Sequence, residues 1–308
     1  MAITAGMVKE LRERTSAGML DCKNALVEND GDMNKAIEYL REKGLSKAAK
    51  KAGRIAAEGL VAFTFDESSK NGAIVEVNSE TDFVSKNELF QTFVATLAEQ
   101  ALLFNAADID AFLAEKSIND SAKTVNDLLF DKIAVIGENL KIRRFRKVSV
   151  DQGVLVGYSH GNGRIGVIVK IESDEVNDAV LECGRNVAMQ VAAIVPVYLN
   201  RGEVSDDYLE SEKAILKQVA MNENPEKPEA IIDKMIIGRL NKQLKEVCLM
   251  DQSYVKDGDL TVQQYVDLVA KEQGFKIKVT EYVRFETGEG IEKIEENFAE
   301  EVARQMQQ

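Results

Sequence analysis

The chain has 308 residues, enough for two or more hydrophobic cores, and its 45% hydrophobic and 30% charged residues are typical of a soluble folded protein. Its net charge of −13 disfavours direct nucleic acid binding, because such affinity comes largely from Lys and Arg that neutralise phosphates. No apolar run approaches the ~20 residues of a membrane span, and three widely spaced cysteines favour a cytoplasmic protein without disulfides or membrane contact.

Residues 1–45 predict an N-terminal domain of three short helices. Thr4 is a candidate cap of the first helix, which TSAG should end, and Gly44 is expected to end the third. The Ala-rich, cationic stretch at residues 46–58 predicts a linker. The apolar faces of the second and third helices consist of Met19, Cys22, Ala25 and Leu26, and of Met33, Ala36, Ile37 and Leu40.

The middle of the chain contains a structural repeat. Each copy has two strand-like runs joined by a turn (GLVAFTF and GAIVEV, then GVLVGY and RIGVIVKIE), followed by a helical stretch and a third strand-like run. We therefore predict an α+β fold whose core has two related subdomains with antiparallel sheets, at residues 59–150 and 151–286.

Two further helical segments are predicted outside this repeat. An insertion at about residues 203–247 has two helical patterns separated by Pro225 and Pro228, so we expect an antiparallel helical hairpin. An amphipathic pattern predicts a C-terminal helix module at residues 287–308.

The segment NSETDFVSKNELF places Asp82 and Phe83 in a turn between a predicted strand and a predicted helix. A capping box and a hydrophobic staple are expected at the start of that helix. Phe83 has no role in this start, so it is either a core residue or a residue directed at a partner. The residues assigned to the helix start are Ser85 and Glu88 for the box, and Val84 and Leu89 for the staple.

The sequence offers little that suggests an enzyme. His160 is the one histidine, and no cysteine pair has metal-ligand spacing, so we predict no catalytic residue, no cofactor and no metal site. GNGRIG, at residues 161–166, fits G-x-G-x-x-G, but a strand follows it in place of the helix that would bind a pyrophosphate. We expect a hairpin loop with positive φ values there. The basic run KIRRFRKV is compatible with nucleic acid contact, but its alternation favours a strand with charges on its solvent face.

Five motifs carry a resemblance that covers the chain from end to end: VKELRERTSAGMLDCKNAL at residues 8–26, EVNSETDFVSKNELF at 76–90, IGENLKIRR at 136–144, YSHGNGRIGVIV at 158–169 and RFETGEGIEK at 284–293. With these motifs the chain closely resembles the bacterial translation elongation factor Ts family. The resemblance implies a ubiquitin-associated (UBA)-like N-terminal domain, a core of two subdomains, an inserted coiled-coil hairpin and a C-terminal helix. It also implies guanine-nucleotide exchange on elongation factor Tu, without covalent chemistry.

The resemblance further implies which residues contact elongation factor Tu. The segment from Thr81 through Asp82 and Phe83 to Val84 would enter the G domain, where the Phe83 ring would wedge and disturb the Mg²⁺ site. The second core subdomain would reach another domain of the partner. The other implied contact residues are Arg12, Met19 and Leu20 in the N-terminal domain, Ile136 and Gly137, His160 and Gly161, and Val255. The complex would be one-to-one or a dimer of heterodimers.

Two other functions stay open from the sequence. A UBA-like adaptor would bind a protein partner in a manner that nucleotide does not affect. An enzyme that uses His160 would show turnover without any partner, and this turnover would vanish in His160→Ala.

Overall fold

The computed structural model of the chain describes residues 3–15, 17–223 and 225–292. These residues form two compact units, the first within Met1–Ala62, Val75–Phe145 and Phe285–Gln308, the second within Phe63–Ile74 and Arg146–Arg284. Helices and antiparallel strands occur together, so the predicted α+β class is confirmed. Among the described residues, no helix combines the length and the apolar character that crossing a membrane requires. The predicted domain and subdomain boundaries stay predictions.

Three helices begin the first unit: α1 (Ala5–Thr15), α2 (Met19–Glu28) and α3 (Met33–Lys51). The hydroxyl of Thr4 accepts the N–H of Met7 at 3.3 Å, which confirms the predicted cap of α1. The helices enclose a small core formed by Leu11, Cys22, Ala25, Leu26 and Ala36. Met19 was predicted on the inward face but its side chain is 64% exposed, because it is the first residue of α2 and lies outside this core.

The first sheet has the strand order β1–β2–β3, so the predicted hairpin and its closing strand are confirmed. The elements are β1 (Glu58–Phe65), β2 (Asn71–Ser79), α4 (Asp82–Ser85), α5 (Glu88–Leu103), α6 (Ile109–Ala114), α7 (Val125–Ile136) and β3 (Lys141–Ser149).

Helix α3 does not end at Gly44, contrary to the prediction. It continues to Lys51, so the stretch expected to be a linker begins as helix. Gly44 is buried where α3 packs on α7, and a Cβ built on it would lie 3.4 Å from the Cβ of Ala134. The glycine therefore permits close helix packing here instead of ending the helix. Arg41 and Asp127 form an ion pair at 2.5 Å that joins the same two helices.

The run KIRRFRKV forms β3, as predicted, but not all of its charges face solvent. Arg143 and Arg144 contact the carboxylate of Glu76, at 3.0 and 2.5 Å, and the Glu76 side chain is fully buried. The backbone N–H of Gly288 donates to the same carboxylate at 2.9 Å. Arg144 also lies 4.3 Å from the centre of the Phe285 ring. These contacts attach the end of the described chain to the first sheet.

The second unit repeats the arrangement of hairpin, helix and closing strand. Its sheet has the order β4–β5–β8, and α8 packs on β4 and β5, which confirms the second copy of the repeat. The elements are β4 (Gly153–His160), β5 (Ile165–Ser173), α8 (Asp178–Ile194), α9 (Asp206–Glu223), α10 (Glu229–Val247), β6 (Ser253–Tyr254), β7 (Asp257–Thr261), α11 (Val262–Gln273) and β8 (Ile277–Glu286).

Helices α9 and α10 form the predicted helical hairpin. An ion pair between Arg239 and Glu223 at 2.6 Å joins them near the turn, and Gln243 donates to Glu212 at 2.9 Å farther along. Inward residues of the hairpin include Ala220, Ile232 and Leu240, which are buried. The helix predicted at residues 287–308 falls mostly outside the described residues.

Candidate partner-binding site

Phe83 lies on α4, a helix of four residues, and its side chain is 78% exposed. The next residue, Val84, is 7% exposed and packs inward. A core role for Phe83 is therefore wrong. Because exposure of a whole aromatic side chain forgoes ~1.5–3 kcal/mol of burial, such a residue is suited to a partner surface.

Helix α5 starts differently from the prediction. Asn87 is its N-cap and accepts the N–H of Leu89 at 2.9 Å. The Ser85 hydroxyl instead donates to the carbonyl of Asp82 at 2.7 Å, within α4. The predicted capping box is wrong because the chain makes this extra helical turn first. The predicted staple is wrong too, because Leu89 is 50% exposed while Val84 is buried.

Asp82 and Phe83 share one neighbour, Lys86. Its ammonium contacts the Asp82 carboxylate at 2.7 Å and lies 5.6 Å from the centre of the Phe83 ring. The hydrogen bond from Lys86 and its charge hold the pKa of Asp82 below its ordinary value. At neutral pH the turn therefore presents an exposed aromatic ring beside an ion pair.

Two of the contact regions implied by the resemblance lie together. The carboxylate of Glu138 accepts the N–H of Thr81 at 3.0 Å and its hydroxyl at 2.6 Å. The carboxylate of Glu80 in turn accepts the N–H of Asn139 at 2.5 Å. These bonds place the Thr81–Val84 segment beside the end of α7, where Ile136 and Gly137 lie.

Gly137 ends α7 in the left-handed conformation, with φ 86°, and its N–H donates to the carbonyl of Ile133 at 3.0 Å. The ammonium of Lys51, at the end of α3, donates to the Gly137 carbonyl. Gly137 is exposed and Ile136 is half-buried, so both are accessible to a partner. A glycine suits this position, because a side chain at such a φ is strained.

Arg12, Met19 and Leu20 lie on the outer surface of α1 and α2. Met19 and Leu20 are 64% and 71% exposed, so neither belongs to the inner face of α2. Arg12 and Met19 line a groove of about 380 Å³ together with Val8. Three cations, Lys9, Arg12 and Lys23, lie along this groove. It offers an apolar surface with a positive border.

His160 and Gly161 lie at the turn between β4 and β5, in the second unit. Gly161, Asn162 and Gly163 have φ of 62°, 55° and 88°, as the hairpin interpretation predicted. A strand follows them, so the helix that a dinucleotide site needs is missing from this motif. The Tyr158 hydroxyl and His160 Nδ1 are 3.0 Å apart, and the exposed His160 is thereby oriented.

Val255 lies in the turn between β6 and β7, and its side chain is 47% exposed. Its N–H donates at 2.8 Å to Gln190, a fully buried side chain of α8. The backbone of this turn is therefore fixed while the Val255 side chain faces solvent.

The described residues contain no group of three or more His, Cys, Asp and Glu side chains that could hold a metal ion. The sequence interpretation missed Glu80 and Glu138 as neighbours of the Phe83 turn. No sequence signal joins them, because their bonds link segments 57 and 59 residues apart. The motif IGENLKIRR contained Glu138, but only the fold shows what it contacts.

Comparison with known proteins agrees with these motifs. The family model described as Elongation factor TS matches residues 80–289. Proteins named Elongation factor Ts from Clostridium botulinum, strains 657 / Type Ba4 and ATCC 19397 / Type A, are 53% identical over 306 residues, 99% of either chain. The protein of that name from Clostridium novyi (strain NT) is 51% identical over 306 residues, again 99% of either chain. This chain belongs to the elongation factor Ts family.

Proposed function

We propose that Phe83 performs the exchange step of this protein by entering the G domain of elongation factor Tu and disturbing its Mg²⁺ site. As a member of its family, the chain promotes guanine-nucleotide exchange on elongation factor Tu during translation elongation. This assignment is preferred to a UBA-like adaptor. The observation that carries the proposal is the exposed Phe83 ring on a short, anchored helix.

Exchange of this kind needs no covalent step. The factor releases GDP because its binding energy favours the form of the partner without nucleotide. The coupling is reciprocal, so GDP must weaken the binding of the factor as much as the factor weakens the binding of GDP. Burial of the Phe83 ring is worth ~1.5–3 kcal/mol by area. If the ring fits only a distorted G domain, this energy is used to loosen Mg²⁺, which bridges phosphate and protein oxygens.

Asp82 would assist at the same place. Its carboxylate can accept N–H groups at the N-terminus of a displaced partner helix. In the free protein this carboxylate is bonded to Lys86 at 2.7 Å, so binding would exchange one hydrogen-bond partner for another.

The remaining contacts would supply affinity. The groove beside Arg12 and Met19 and the exposed Leu20 would bind the G domain, through an N-terminal part that we infer to be UBA-like. Ile136 with Gly137, and His160 with Gly161, would contact the same domain. Val255 would belong to a surface for a second domain. Whether the complex is one-to-one or a dimer of heterodimers is decided by light scattering of the complex.

The test compares two phenylalanines. Phe83→Ala and Phe90→Ala remove the same side chain, one 78% exposed and one fully buried. Phe83→Ala should slow the release of fluorescent GDP from elongation factor Tu severely, with a free energy of unfolding within ~0.5 kcal/mol of the parent. Phe90→Ala should cost ~3–5 kcal/mol of stability and leave exchange per folded molecule unchanged.

Lower free Mg²⁺ should partly restore release with Phe83→Ala, because the missing ring is proposed to loosen that ion. Normal exchange by folded Phe83→Ala would refute the proposed role of the ring. A failure of the unsubstituted protein to accelerate release at substoichiometric concentration would refute the exchange function itself.

A further inference from the structure

The four residues of α4 cannot fix the direction of Phe83 by themselves. Helix nucleation is unfavourable, and isolated helices much shorter than ~12 residues are not stable in water. Thr81 is the N-cap of α4, but its side chain makes no cap hydrogen bond to the helix. The direction of the helix must therefore be set by contacts outside it.

Among those contacts, besides the buried side chain of Val84, is a reciprocal clamp, which consists of Glu80, Thr81, Glu138 and Asn139. Glu138 uses both carboxylate oxygens on Thr81, one for its N–H at 3.0 Å and one for its hydroxyl at 2.6 Å. In the opposite direction, the carboxylate of Glu80 accepts the N–H of Asn139, the residue that follows Glu138, at 2.5 Å. Bonds to ionised carboxylates are stronger than neutral ones, and two bonds to one residue also fix its rotation.

Two residues of the clamp, Asn139 and Glu80, are also bonded to Arg54. The Asn139 side chain is 8% exposed and donates to the carbonyl of Arg54 at 2.7 Å. The guanidinium of Arg54 approaches the Glu80 carboxylate at 3.4 Å. The clamp is thus held by the end of α7 on one side and by the segment after α3 on the other.

We propose that Glu138 is a positioning residue for nucleotide exchange, acting through Thr81 to hold Phe83 in the direction in which it enters the partner. This inference rests on the proposed role of Phe83. A loosely held ring would use part of its burial energy to order its own segment. A fixed ring delivers that energy to the distortion of the G domain.

The test measures GDP release over a range of factor concentrations, which separates the maximal rate from the half-saturating concentration. Glu138→Ala removes both bonds to Thr81 and should lower the maximal rate by about tenfold or more, since one charge-assisted hydrogen bond alone is worth about tenfold, with little change in half-saturation. Glu138→Gln keeps an acceptor oxygen and should restore part of the rate. A raised half-saturating concentration with an unchanged maximal rate would overturn the proposal.

Asp131→Ala is the matched control. Asp131 is a carboxylate on α7 that pairs with Lys123 at 2.7 Å and lies outside the clamp. It should leave both kinetic constants unchanged. An equal fall in the maximal rate with Asp131→Ala would show that any loss of charge on α7 has this effect, and would contradict a specific role for Glu138.

Two further variants keep the proposal open to refutation if Glu138→Ala does not fold. Thr81→Val removes only the hydroxyl donor and should lower the maximal rate less than Glu138→Ala would. Combined with Phe83→Ala, Glu138→Gln should cause no further loss, because Glu138 acts through the ring. An equal loss with and without Phe83 would overturn the proposal. If Phe83→Ala slows release but Thr81→Val and Glu138→Gln do not, positioning fails while the role of Phe83 stands.

Discussion

Phe83 and Val84 are neighbours with opposite surroundings, and this contrast defines the site at the scale of single residues. Val84 is buried and Phe83 is 78% exposed, so one residue anchors the turn and the next is presented to solvent. The resemblance in sequence indicated the exposure of Phe83. Hydrophobicity alone would have placed both residues inside.

The corrected start of α5 gives a prediction for two polar residues. Asn87→Ala should lower the free energy of unfolding by ~1 kcal/mol, because it removes the acceptor for the N–H of Leu89. Ser85→Ala should cost less, since its hydroxyl only donates to the carbonyl of Asp82 within α4. Urea denaturation of both variants measures the difference. A larger loss of stability for Ser85→Ala than for Asn87→Ala would favour the capping box of Ser85 and Glu88 over the Asn87 cap.

At the scale of elements, the packing of α3 on α7 decides how far the N-terminal part extends. A cut at residue 45 would divide α3, because this helix ends at Lys51. Sequence rules assigned Gly44 to a helix end, since glycine after a helical pattern is a common stop. They could not identify a buried contact with Ala134, which depends on a helix 90 residues farther along the chain.

Two substitutions at Gly44 separate these interpretations. Gly44→Ala should be neutral or stabilise the protein by up to ~1 kcal/mol, because the added Cβ would lie 3.4 Å from that of Ala134. Gly44→Leu should lower the melting temperature clearly, because a larger side chain would separate α3 from α7. Thermal unfolding followed by circular dichroism is the measurement. Equal melting temperatures for Gly44→Leu and the parent would mean that the contact is loose.

The ion pair between the same helices predicts a dependence on pH. Burial of the Asp127 carboxyl raises its pKa, but hydrogen bonds from Thr124 and Arg41 outweigh this effect, and the pKa lies below its ordinary value. A depressed carboxyl pKa contributes stability above the ordinary value of ~4, and this contribution is lost as pH falls through the folded-state value. Asp127→Asn should therefore be less stable than the parent at pH 7, and the difference should shrink towards pH 2. A difference that does not vary with pH, in urea melts, would contradict this.

At the scale of the whole molecule, the repeat was the most predictable feature. Alternating strand patterns and turn residues lie within single segments, so hairpin, helix and closing strand could be recognised twice. The contacts of Glu76 could not be predicted, because Arg143, Arg144 and Gly288 approach it from distant parts of the chain. For the same reason, the resemblance indicated exposed residues such as Phe83 and Val255, but not Glu80 and Glu138, whose carboxylates hold the Phe83 turn.

The three cysteines give a prediction for the intact protein. Cys22, Cys183 and Cys248 are buried and form no disulfide. Burial raises the pKa of each thiol, to about 12 for Cys183, so little reactive thiolate exists at pH 8. A chromogenic thiol reagent should react slowly with the native protein and with all three thiols after denaturation. Rapid reaction of one thiol without denaturant would show that its surroundings open readily.

The bond from Gly288 to Glu76 spans 212 residues. A ribosome adds about 5–20 residues per second, so this donor is synthesised roughly 10–40 seconds after its acceptor. During that interval the buried carboxylate has only part of its final set of donors. The first unit, which includes the Phe83 turn, is therefore begun first and finished last, while most of the second unit is one continuous stretch made in between. A nascent chain would therefore complete the set of donors to the Glu76 carboxylate only after most of the second unit has been made.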